Sequence, residues 1–62
     1  MKVVLITNGI KSYYQKVGDG CFNFTYIAEF ASELTEKEAI EVISHSVQFC
    51  KLYGVTELRI EE

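Results

Sequence analysis

The chain predicts an α+β fold: β-β-β-α-β, a mostly antiparallel four-stranded sheet in the order 3-2-1-4 with one helix packed on one face. Three observations predict it. Asn8-Gly9 separates two strand-like runs, KVVLIT and IKSYYQKV. The segment FNFTYIAEF alternates apolar and polar residues at the period of a strand. The segment EKEAIEVISHSVQFCKLY is amphipathic at the helical period, with helix-start and helix-stop signals on either side.

Residues 2–7 are β-branched and apolar on both faces, which suits a central strand covered on both sides. Asn-Gly is the preferred pair for a type I′ hairpin, because both central residues need positive φ. Strand two then spans 10–17. A two-residue loop pairs Thr7 with Ile10, Leu5 with Ser12 and Val3 with Tyr14, and paired residues share a face. One face carries Val3, Leu5, Ile10 and Tyr14, the other Val4, Ile6, Tyr13 and Val17. Gly18-Asp19-Gly20 forms the second turn, and strand three fills 22–31. Phe22, Phe24, Tyr26, Ala28 and Phe30 then lie on one side, under the helix; Asn23, Thr25, Ile27 and Glu29 lie on the other.

The helix spans 36–53. Thr35 and Glu38 hold the N-cap and N3 positions of a capping box, and Gly54 is placed for a left-handed C-cap. At 100° per residue, Ala39, Ile40, Ile43, Val47 and Cys50 form the centre of the apolar face. Val42, Phe49 and Tyr53 widen it on one flank. The last strand spans 55–61 and runs parallel to strand one if the helix crosses back to that edge. One helix leaves the other sheet face, with Val4, Ile6, Tyr13, Val17 and Ile27, uncovered. An apolar patch of that kind marks an interaction site.

Sixty-two residues make a single domain, 1–62. So short a chain buries only about 60% of its unfolded surface and gains from oligomerisation. With 48% hydrophobic residues and no proline, the composition is globular. No apolar stretch is long enough to span a membrane, and no leader cleavage pattern follows the first strand, so a cytoplasmic location is expected. A formal net charge of −3 disfavours nucleic acid and anionic membranes as partners.

The residues that carry chemistry are few. His45 follows Glu41 by one helical turn, half a metal site with no second histidine to complete it. Gly18-Asp19-Gly20 precedes a strand, whereas a phosphate loop opens a helix. Cys21 has a neighbouring acid, Asp19, and no neighbouring base, so it lacks the setting of a reactive thiol. Cys21 and Cys50 are unclustered, and whether they pair is left open. No catalytic residue, cofactor or metal site is assigned, and a non-enzyme is expected.

The run YYQKVGDGCFNFTYIAEF followed by TEKEAIEVI resembles a pattern of small phage and prophage accessory proteins: a β-hairpin, an A-x-F segment, then a capped helix opening with Glu and Ala. Tyr14, Gly20, Phe22, Ala28, Phe30, Glu38 and Ala39 carry the resemblance. It implies a compact, often oligomeric α+β protein that binds and modulates a host or defence protein in the host cytoplasm. It carries no catalytic residue, and it implies a turn near 25–28.

The functional expectation is a non-enzymatic protein-binding module, homodimeric or larger, that also binds another protein. The expected partner interface is Val4, Ile6, Tyr13, Ile27, Val42, Phe49 and Tyr53, with an acidic surface at Glu38 and Glu41 for a basic partner. The alternatives are a nucleic-acid-binding protein using the aromatic strand residues, or an accessory subunit of an enzyme complex.

Overall fold

The computed structural model describes residues 1–18 and 20–62. Strands β1 (Lys2–Thr7), β2 (Ile10–Gly18), β3 (Cys21–Thr25) and β4 (Glu57–Glu61) form one sheet in the order β3-β2-β1-β4. The helix α1 (Glu36–Tyr53) lies on one face, preceded by a 3-10 turn at Ala28–Phe30. This is the α+β architecture and strand order that the sequence predicts.

Local signals built the first hairpin. Asn8 and Gly9 take φ of 51° and 78°, the left-handed pair that a type I′ turn needs. The register follows, with Thr7 opposite Ile10 and Leu5 opposite Ser12. The register between β2 and β3 shifts at Lys16–Gly18, a bulge that sets Val17 into solvent. Of the second turn, Asp19 lies outside the described residues.

The capping box is complete. The Glu38 N–H donates to Thr35 Oγ1 at 3.2 Å, and the Thr35 N–H donates to Glu38 Oε1 at 2.9 Å. Gly54 closes the helix at φ 68° and ψ 28°, its N–H donating to the Cys50 carbonyl. Val3, Leu5, Leu34 and Ala39 form the buried core, and Tyr14, Phe24, Val42, Ile43, Phe49, Val55 and Leu58 pack around them.

Strand three is shorter than its alternation predicts. It ends at Thr25, whose Oγ1 accepts the Ile27 N–H at 3.1 Å and turns the chain out of the ladder. Tyr26 and Phe30 therefore leave the aromatic row and are 76% and 57% exposed, while Phe22 and Phe24 keep to it. The turn that the resemblance implies near 25–28 is at this place.

The same early exit reverses the last strand. Residues 26–35 carry the chain back to the start of β1. There the Ser32 N–H donates to the Tyr14 carbonyl at 3.1 Å and the Leu34 N–H to the Met1 carbonyl at 2.7 Å. α1 thus starts at the N-terminal end of β1, and Thr56 reaches the far end, its N–H on the Ile6 carbonyl at 2.8 Å. β4 has to return antiparallel, with Glu57 opposite Ile6 and Glu61 opposite Lys2. The parallel pairing with β1, expected if the helix crosses back to that edge, is not formed.

The helix is also rolled about its axis relative to expectation. Ala39 is fully buried, and Val42, Ile43 and Phe49 pack onto the core. Ile40 and Val47, expected at the centre of the face, are about half exposed. Small residues explain the roll. Ala39, Ser46 and Cys50 recur at i, i+7 and i+11, and this low ridge lets the helix sit close to the sheet.

Candidate functional site

The sheet face away from the helix is more covered than its apolar residues suggest. Val4 is 0% exposed there, although no helix lies over it. Its cross-strand neighbours are Tyr13 on β2 and Arg59 on β4. Lys11 of β2 and Glu61 of β4 form an ion pair at 2.9 Å, which spans β1 along the Val4–Ile6 stretch. The hydrogen bond from Lys11 to Glu61, with the attraction between their charges, holds the ammonium above the ordinary lysine pKa. Arg59 pairs with Glu57 on the same face. Long side chains thus roof the strip with their own methylenes. Of the residues expected as an interface here, Val4 is buried, Ile6 and Tyr13 are half-buried, and Ile27 is exposed in the turn after β3.

Val42, Phe49 and Tyr53, the other expected interface residues, mark the flank of α1 that leans over β3. Phe49 lies with its ring centroid 4.8 Å from that of Phe24 and 4.5 Å from that of Tyr53. Phe22 stacks on Tyr14 at 5.9 Å and meets Phe24 edge-on at 5.5 Å. Such aromatic pairs contribute about 0.5–1.5 kcal/mol each beyond their burial. The cluster is only partly enclosed: Phe22 is 52% and Tyr53 64% exposed. Between helix and strand it leaves a cleft of about 300 Å³, lined by Tyr14, Phe22, Val42 and Phe49 with Glu41, His45 and Ser46. Leu52 follows Phe49 by three residues on the outer side of this flank and is 79% exposed.

A second apolar surface lies on the opposite flank. Because Phe49 faces β3, the helical wheel turns Ile40 and Val47 toward β4. Ile60 of β4 lies on the helix-covered side, opposite Val3, and it too is exposed.

The residues weighed for chemistry are dispersed. His45 and Glu41 share the cleft rim, and Glu38 is occupied by its cap. The backbone and hydroxyl hydrogen bonds from Thr35 hold the Glu38 carboxyl below its ordinary pKa. Both cysteines are free thiols, Cys21 exposed and Cys50 half-buried. Among the described residues no three His, Cys, Asp or Glu side chains gather closely enough to hold a metal ion. No helix of the described residues is long and apolar enough to cross a membrane.

Comparison with protein-family models, with curated proteins and with solved structures gives no match to this chain.

Sequence reasoning missed Leu52, Ile40, Val47 and Ile60 as surface residues. A signal for Leu52 was present, since it is a lone leucine on the polar side of the helical wheel. For Ile40 and Val47 the signal was the ridge of small residues, which locates the buried meridian better than the centroid of the apolar arc does.

Proposed function

We propose that this chain is a small non-enzymatic module that works by binding protein through apolar surfaces on the two flanks of α1, and that it does so as an oligomer. One observation carries the reading. Among the described residues only five side chains are buried, whereas eleven large hydrophobic ones are at least 41% exposed. Scattered exposed apolar residues are ordinary, but adjoining ones mark interaction sites. Here they gather on the two flanks of α1: Phe22 lines the cleft beside β3, with Tyr53 against Phe49 and Leu52 further out on that flank, while Ile40 and Val47 are turned toward β4, whose Ile60 is exposed on the helix-covered side. The resemblance to phage accessory proteins agrees with such a role, the target then being a host or defence protein.

The test is retention of protein on the immobilised chain through a wash at about 1 M salt, where the screening length is about 3 Å. Apolar contacts persist under that wash. Retention should fall at least tenfold for Leu52→Asp or Ile40→Asp, at positions 79% and 51% exposed, with circular dichroism checking that each variant stays folded. Retention that the salt abolishes and the two substitutions leave unchanged would move the function to the acidic surface around Glu38 and Glu41.

A further inference from the structure

We infer that the free edge of β3 pairs antiparallel with β3 of a second copy about a two-fold axis at Asn23. This deepens the protein-binding reading and rests on it, because it names the partner for the flank beside β3.

Main-chain hydrogen bonds fix which groups point out of that edge. The Tyr14 carbonyl accepts the Ser32 N–H at 3.1 Å, and the Lys16 N–H donates to Ser32 Oγ at 2.7 Å. Both therefore turn their main-chain groups away from β3. In an antiparallel pair, residues opposite one another face each other or both face away. Phe24 and Phe22, opposite Tyr14 and Lys16, must present N–H and C=O to the free edge. The Phe24 N–H agrees: it donates to a side chain, Asn23 Oδ1, at 2.9 Å.

A second copy fits this edge in one register better than in its neighbours. With Asn23 on the two-fold, Phe22 of each chain lies opposite the other chain's Phe24. Each such pair exchanges both main-chain hydrogen bonds, the Phe24 N–H giving up Asn23 Oδ1 for the partner's Phe22 carbonyl, so every outward group of Phe22 and Phe24 is matched. The rings fall on the helix-covered side, as cross-strand aromatic pairs that extend the existing cluster. Shifting the two-fold to Phe22 or to Phe24 leaves one phenylalanine opposite Gly20 or Tyr26, at or beyond the strand's ends.

Charge points the same way. No charged side chain occurs from Cys21 to Ala28, so two copies meet there without like-charge contact. β4, the other edge, carries Glu57, Arg59 and Glu61, the kind of charge that guards an edge against pairing. Asn23 occupies the closely spaced position on the two-fold, with its side chain on the face away from the helix.

Light scattering on the 62-residue chain tests this. The wild type should have twice the mass of one chain at tens of micromolar. Asn23→Lys or Asn23→Glu, each placing like charges on two residues directly opposite one another, with Cα atoms about 4.5 Å apart at the two-fold, should weaken the dimer at least about tenfold. Mixing the two variants should restore it. Asn23→Cys, with Cys21→Ser and Cys50→Ser, should form a covalent dimer under mild oxidation, since that spacing lies within disulfide reach. A wild type with the mass of one chain would overturn the inference, as would a dimer indifferent to both charged variants. A monomer that still retains another protein would leave the protein-binding reading standing; a monomer that retains none would end both.

Discussion

Thr35 and Glu38 show how much one residue pair decides in this chain. Their reciprocal hydrogen bonds satisfy two donors at the exposed start of α1. Thr35→Ala should cost about 0.5–2 kcal/mol, read as a lowered midpoint in urea unfolding. The same cap gives a pH dependence. Glu38 titrates below its ordinary value because hydrogen bonds from Thr35 favour the carboxylate. Glu33 does so because the Met1 ammonium donates to it at 2.9 Å. Folded values below unfolded ones mean that both carboxylates add stability above the unfolded carboxylate range. That stability is lost as pH falls through the folded values. Melting temperature should therefore decline below about pH 5, and less steeply in Glu38→Gln. Both groups are exposed, so salt should shrink the effect.

The elements differ in how far the sequence alone specifies them. The first hairpin and α1 were legible because their signals are local: Asn8-Gly9 for the turn, and Thr35, Glu38 and Gly54 for the helix bounds. β3 was not, because FNFTYIAEF keeps its alternation through Phe30 and nothing in that period marks the end at Thr25. The end is set by a side-chain bond to the Ile27 N–H and by the pull of Ser32 and Leu34 to places beside β1 and β2. The direction of β4 follows from that and was equally hidden. The cover over Val4 was hidden too, since Lys11 and Glu61 are 50 residues apart. Phe24 and Phe30 now separate. Phe24 packs on the core, so Phe24→Ala should cost about 3 kcal/mol, the low end for a phenylalanine that is only partly buried. Phe30→Ala, at an exposed ring, should stay within about 0.5 kcal/mol. Thermal melting resolves the two, since 1 kcal/mol moves the midpoint of a domain this small by about 4–8 °C.

At the scale of the molecule, its area and the makeup of its surface give different impressions. The accessible area is 4374 Å², close to the roughly 4,100 Å² expected of a folded monomer of this mass. The chain is thus close to the compactness ordinary for its size, and loose folding does not account for the exposed apolar side chains. They come from one helix covering a four-stranded sheet whose two edges are both open. The guarded edge, β4, and the uncharged edge, β3, then have different fates, and the aromatic row that makes β3 a core strand also makes it a contact surface. Amide hydrogen exchange at Phe22 tests this most directly, because the register with Lys16 turns its N–H out of the sheet edge. The account predicts that Phe22 exchange slows as protein concentration rises from about 1 µM to 1 mM, and that Asn23→Lys abolishes the slowing. Exchange at Phe22 that stays as fast as in an unfolded chain across that range would contradict it.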